Sequence, residues 1–265
     1  MKRIIRYLLF TFALTYLAHG ILAFTTAKDF IEFDTLIGQS LFILGGSSPT
    51  IFAFVFVFRH PDPTVKESFK KSLLSYRHPL PLWLFALGIP IVLGGLFQLS
   101  HMLFDNQLFE SELPFYYFFV VIFSSVLFGG IEEIGWRGFL QERLAGRKNL
   151  VVIAVLIGLI WGLWHVPLFF IENVSHYNFD FLPFLLGAVM FSTYLTWLYA
   201  KTRSLLLVVL LHASINASAT IGLRFVFRHD VVTYGIIIIF TLIGCSLLMV
   251  YEKNKKNEEP EEYDS

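Results

Sequence analysis

The chain has 265 residues, of which 56% are hydrophobic and 15% charged, with no formal net charge at neutral pH. Soluble domains usually carry about 45–50% apolar and about 25% charged residues, so a mean hydropathy of +0.67 excludes an ordinary soluble globule and identifies an integral membrane protein. A net charge of zero says little about partners, no nucleic-acid partner is expected, and one cysteine, Cys245, excludes an internal disulfide and any metal site built from several thiolates.

A bilayer core about 30 Å thick needs about 20 apolar residues in a helix. Eight runs are candidates: Ile4–Phe24, Leu36–Phe58, Leu80–Leu99, Leu113–Ile131, Leu150–Ile171, Phe181–Ala200, Leu205–Leu223 and Val232–Tyr251. The expected fold is therefore all-α: a polytopic membrane bundle of about eight transmembrane helices, in one membrane domain over residues 1–252. Lys2, Arg3 and Arg6 precede the first run as they would in a signal peptide. That run is longer than a usual h-region and no clear cleavage site follows, so it is expected to stay as an anchor. Alternating the runs from a cytoplasmic N-terminus puts 17 of the 20 Lys and Arg on the inner side and only Lys28, Arg224 and Arg228 on the outer side. That asymmetry is what the positive-inside rule requires, and it expects both termini in the cytoplasm. The longest inner loop holds Pro61, Pro63 and a Lys-rich amphipathic piece, Val65–Leu74, suited to the inner membrane surface. Residues 253–265 read as a polar, disordered cytoplasmic tail. No internal repeat is visible.

Few strongly polar residues fall within these runs. Glu132 and Glu133 end the fourth, His165 lies in the fifth, and His212 and Asn216 lie in the seventh. An intramembrane ionisable residue is a functional candidate by default. Glu133 and Arg137, four apart, share a helix face and suit a structural ion pair, which leaves Glu132 on another face. His212 and Asn216 are also four apart and project from one side, about 6 Å apart along the axis. A carboxylate, two imidazoles and a carboxamide in one cavity below the inner surface could hydrolyse an amide. Glu132 beside a His would take a proton from water, and a His and an Asn would donate hydrogen bonds to the oxyanion. Alternatively Glu132, His165 and His212 would hold a zinc ion (Zn2+) that activates the water.

Depth sets one difficulty. At 1.5 Å per residue His212 lies roughly 12 Å in from the basic side and His165 about 25 Å. A shared site requires the fourth helix to continue through Phe139–Ala145 as one arm of a hairpin. Each group also has a plainer reading. His165 between Trp161 and Trp164 fits an aromatic belt, and His212 with Asn216 fits interhelical hydrogen bonding. His19 and His176 read as outer-interface residues without a role, and His60, His78, His101 and His229 as residues of loops or span ends.

Taken together, Glu132, Glu133 and Arg137, then Trp161 and His165, then His212 and Asn216 resemble the motif set of the CAAX prenyl protease and bacteriocin-processing (Abi) family of intramembrane proteases. The family usually has Phe where this chain has Trp161. The resemblance spans about residues 113–223. It implies Glu132 as the base that activates water, His165 positioning that water, His212 and Asn216 at the oxyanion, and Glu133 and Arg137 in support. It implies peptide or protein substrates at the membrane, CAAX-type tails or bacteriocin and signalling peptides, and leaves open a metal-dependent or a glutamate-based mechanism. The expected location is a bacterial plasma membrane with the site toward the cytoplasmic side. Two rivals stand beside it. One is a non-catalytic scaffold or self-immunity regulator of the same fold, in which these polar groups would confer no benefit. The other is a proton-coupled transporter, against which the absence of a repeat and of paired broken helices weighs.

Overall fold

A computed structural model describes residues 2–105, 113–223, 225 and 227–258, and among them every regular element is helical. Five helices are long and apolar enough to cross a bilayer: α1 (Lys2–Thr26), α5 (Leu80–Asp105), α9 (Leu150–Trp164, prolonged by a 3-10 turn at Val166–Phe170), α10 (Phe181–Thr202) and α12 (Val231–Glu258). Two more spans are bent. α2 (Leu36–Gly46) and α3 (Ser48–Phe58) meet at 49°, and the span from α6 (Tyr117–Ser125) to α8 (Glu142–Leu144) bends by 42° around the short α7 (Glu132–Gly135). Together these make up to seven spans. The eighth candidate is α11 (Leu205–Thr220), whose 16 residues reach only about 24 Å. Most of its residues are buried, because it is packed inside the bundle, so it stands as a shorter apolar helix beside the up to seven longer spans, compatible with the polytopic bundle expected. The amphipathic piece forms α4 (Pro63–Leu73), with Phe69 and Ser72 turned into the protein. α12 runs to Glu258, so the polar tail is helical over its first six residues, and 259–265 lie outside the described residues.

The two bends have local causes. At the first, Pro49 follows directly on Ser47 and Ser48, and the hydroxyls take up backbone groups freed by the break. Ser48 Oγ donates to the Thr11 carbonyl, and Thr15 Oγ1, on α1, donates to Gly45 O at 2.8 Å. At the second, the helix opens into a π turn over Val126–Gly130, with Phe128 and Gly129 out of helical geometry. Thr50 Oγ1 on α3 donates to the Ile131 carbonyl just beyond. A second π turn, Trp136–Gln141, follows α7. π turns of this kind often mark functional segments. Gly135 is required by the crossing of α3 and α7, because a Cβ there would lie 2.5 Å from Pro49 O and from the Tyr7 hydroxyl.

The helix ends sort into two groups. At the end holding Lys2 and Glu258, Arg203 pairs with Glu142 (2.5 Å), Leu150 N–H donates to Glu252 (2.7 Å) and the Tyr251 hydroxyl to Ala200 O (2.8 Å). At the opposite end Gln98 Nε2 donates to Gly222 O (2.9 Å) and His229 N–H to Asp180 (2.8 Å). The alternation of sides inferred from the Lys and Arg distribution is thus the alternation the helices adopt. The first end carries most of the Lys and Arg and is referred to as the basic end.

Candidate active site

Glu133 is the centre of the polar cluster. Its Oε2 accepts from Arg137 Nη1 at 2.6 Å, the i,i+4 pair expected from the sequence, and both side chains are fully buried. Its Oε1 lies 2.7 Å from His212 Nδ1 on α11, a contact the sequence reading did not anticipate. Arg137 reaches across to α10, where Ser192 Oγ accepts from Nη2 at 2.9 Å. One carboxylate therefore ties the bent span to α11, and the guanidinium ties it to α10. Charges this deep persist only when paired and hydrogen-bonded.

Glu132 points the other way, as its one-residue offset on α7 requires. Its Oε2 accepts from Trp161 Nε1 on α9 at 2.9 Å. This gives the Trp a physical role that the family's usual Phe could not have, since a phenyl ring has no N–H to hold the carboxylate. Trp161 also stands edge-on to both imidazoles, with ring centres 5.3 Å from His165 and 5.2 Å from His212. His165 caps α9, and its Nδ1 lies 2.8 Å from the Trp161 carbonyl. A carbonyl can only accept, so Nδ1 carries the proton and the neutral ring presents a lone pair at Nε2. Trp164 Nε1 donates to Thr15 Oγ1 on α1 at 2.7 Å, and its ring stands edge-on to the His165 ring.

Glu132, Trp161, His165, His212 and Asn216 all line one cavity of about 1080 Å3. The depth difficulty is resolved by the bend. The span does continue beyond Glu132 to Leu144, as the hairpin reading required, and its break beside α9 brings Glu132 to Trp161, one turn before His165. His212 Nε2 and Asn216 Nδ2 converge on Gly129, where a Cβ would fall onto Asn216 Nδ2 and 3.2 Å from His212 Nε2. Gly129→Ala should displace the flexible Asn216 carboxamide rather than unfold the protein. Losing one oxyanion donor costs about 10²–10³ in kcat. The expected result is a fall of that size with an unchanged melting temperature, matched by Asn216→Ala and not deepened in the double variant. A full additive loss in the double variant would show that the two act separately.

Two residues set aside in the sequence reading are in the cavity wall. His176, on a 3-10 turn at Ser175–Asn178, stacks on His165 with ring centres 5.2 Å apart. His19 is buried, and its Nε2 lies 3.0 Å from the Phe42 carbonyl. Both are cavity residues, not interface residues, because the 171–180 segment folds back over the end of α9 and α2 closes against α1. His101 is likewise buried, 3.3 Å from the Thr233 hydroxyl. Among the described residues no three His, Cys, Asp or Glu side chains are grouped to hold a metal ion. The hydrogen bonds to Trp161 and Glu133 take one atom each of Glu132, His165 and His212 and leave His165 Nε2 and His212 Nε2 uncommitted.

The cavity occupies one half of the bundle. Along α1 its lining begins only at His19, along α9 at Trp161 and along α11 at His212. Along α2, the bent span and α10, which run the other way, it ends at Gly46, Glu132 and Phe191. Every helix therefore contributes only the half remote from the basic end. Toward the basic end Trp136, Arg137, Phe139, Leu140 and Gln141 are buried and fill the bundle.

Residues 113–218 match the family model for Type II CAAX prenyl endopeptidase Rce1-like proteins. A CAAX prenyl protease 2 from the archaeon Methanococcus maripaludis is 29% identical over 226 residues, covering 79% of this chain and 81% of the relative. Glu132, Glu133, Arg137, Trp161, His165, His212 and Asn216 all lie in the segment matched by the Rce1-like CAAX prenyl endopeptidase model, and it is to that family that the chain is similar.

Proposed function

We propose that this chain hydrolyses peptide bonds of membrane-associated peptides with a water molecule activated by Glu132. The observation that carries the reading is that a carboxylate, anchored through one oxygen by Trp161, shares a cavity with two oriented imidazoles and a carboxamide drawn from three separate stretches of sequence. Glu132 takes a proton from water as the oxygen attacks the carbonyl carbon. His165, with Nδ1–H committed to a backbone carbonyl, accepts the water's other hydrogen at Nε2 and so orients it. The carbonyl oxygen becomes an oxyanion facing Asn216 Nδ2–H and His212 Nε2. Collapse of the tetrahedral species breaks the C–N bond, and Glu132 returns its proton to the leaving amine. Two carboxylates and one guanidinium leave one negative charge in the cluster, which a proton on His212 cancels. In that form Nδ1–H stays on Glu133 and Nε2–H is free to donate to the oxyanion.

The substrate class follows from the walls. Phe42, Ile43, Leu127 and Phe128 line the cavity and are partly exposed on the flank of the bundle between α2 and α6. Such a wall suits an apolar or lipid-modified segment beside the scissile bond, the chemistry implied by the archaeal relative's name. The test is cleavage of fluorogenic peptides, prenylated and unmodified, by the purified protein in lipid vesicles, with and without a strong chelator. Turnover of the lipid-modified peptide is expected to exceed that of the unmodified one and to survive chelation. Loss on chelation with recovery on adding zinc would overturn the glutamate mechanism. No cleavage of either peptide would leave the fold as a regulator.

A further inference from the structure

We infer that Trp136 is a second positioning residue for the Glu132 carboxylate, its indole N–H holding the carboxylate from the packed interior while Trp161 holds it from α9. Trp136 is fully buried, edge-on to Tyr7 and to Trp164 with ring centres 6.2 Å and 5.8 Å away. Those ring contacts need no N–H, and a phenyl ring could make them. Yet the indole Nε1 lies buried with no hydrogen bond of ordinary geometry among the described residues. A buried donor in that state costs free energy and calls for an acceptor. The Glu132 carboxylate is an acceptor within its range. The spacing makes the same assignment. In Glu132-Glu133-Ile134-Gly135-Trp136-Arg137 each carboxylate has a donor four residues on, Arg137 for Glu133 and Trp136 for Glu132. Each carboxylate then takes a further partner from another helix, His212 on α11 for Glu133 and Trp161 on α9 for Glu132.

An ionised carboxylate offers about four acceptor sites, so two indole N–H groups leave room for a proton taken from water. Glu132 and Trp161 line the cavity and Trp136 does not. The Trp136 N–H thus comes from behind the carboxylate and leaves its cavity side to water and substrate. Two donors on different elements fix the plane of the carboxylate. A base aimed in this way gains rate without gaining affinity for the substrate. That the held group acts as a base rests on the peptidase reading above. That Trp136 holds it does not.

Two measurements on the full chain test this. With isotope-labelled tryptophan in detergent, the five Trp residues give five indole N–H signals by NMR. The Trp136 signal is assigned by its loss in Trp136→Phe, or by elimination with Phe variants of the other four if that protein does not fold. It is expected to move upfield in Glu132→Ala, as the Trp161 signal does, while those of Trp83, Trp164 and Trp197 stay in place. A Trp136 signal that does not move in Glu132→Ala overturns the proposal. In vesicles, Trp136→Phe is expected to lower kcat for peptide cleavage about tenfold, as the loss of a hydrogen bond to a charged group would, with KM within roughly twofold of the parent value. A loss carried by KM instead, or a folded Trp136→Phe protein with unchanged kcat, overturns it as well. A parent protein that cleaves no peptide would count against the peptidase reading, while the indole signal would still report whether Trp136 holds the carboxylate.

Discussion

Glu132→Gln is expected to lower peptide cleavage by about 10²–10⁴-fold, the usual contribution of a positioned general base, with no fall in melting temperature. The variant separates chemistry from architecture because little else changes. Glutamine has nearly the same shape, and its amide oxygen can still accept from Trp161 Nε1, now 2.9 Å from the carboxylate. It also removes a nearly buried negative charge while Trp161 keeps an acceptor, so the folded state sheds a desolvation cost. Trp161→Phe provides the companion result. The ring packing against His165 and His212 remains, the N–H is lost, and cleavage should fall by about tenfold through a looser carboxylate, since hydrogen bonds to charged groups contribute about 1.5–3 kcal/mol. Cleavage by Glu132→Gln within threefold of the parent protein, measured with the same peptide in vesicles, would remove Glu132 from the role of base.

How much of this was legible from the residues varies with the physics involved. The long apolar runs and the Lys and Arg distribution carry the helix order and the alternation of sides, since both depend on composition over about 20 residues. The pair Glu133 and Arg137 was equally accessible, because i,i+4 spacing survives wherever the helix is placed. The depth of His165 was not. The estimate assumed straight helices of constant rise, and the π turns at Val126–Gly130 and Trp136–Gln141 break that assumption by shifting the register without changing the hydropathy. A signal was present in the doublet Gly129–Gly130, one residue short of Glu132 and next to α11, where a Cβ on Gly130 would lie 2.8 Å from Val209 O. The first bend had a similar marker in Gly46-Ser47-Ser48-Pro49. His19 and His176 were assigned to the interface because each was judged alone. Their convergence depends on a loop folding back, which no local pattern encodes. Which halves of the helices line the cavity was illegible for the same reason: charge bears on the ends of each helix and says nothing of which halves splay apart.

Arg137→Leu is expected to destabilise the protein by roughly 3–5 kcal/mol, the cost of leaving one member of a buried pair behind, equivalent to a melting temperature lower by roughly 6–20 °C for a domain of about this size. The reason is that Glu133 is fully buried and would keep only His212 as a partner, while Ser192 Oγ would lose its donor. Adding Glu133→Gln to Arg137→Leu removes the stranded charge. The double variant should recover most of the lost stability, because replacing both members of a buried pair by groups of similar shape is often close to neutral. Activity should not recover with it. With a neutral amide opposite Nδ1, His212 has no carboxylate to hold it as the imidazolium, and its Nε2 no longer donates to the oxyanion. Thermal unfolding in detergent and peptide cleavage in vesicles, read on the same three proteins, therefore part company. Stability follows the charge balance of Glu133 and Arg137, and turnover follows the carboxylate on His212. If the double variant regained cleavage along with its melting temperature, Glu133 would be a brace alone, and the protonation of His212 would have to be supported by Glu132.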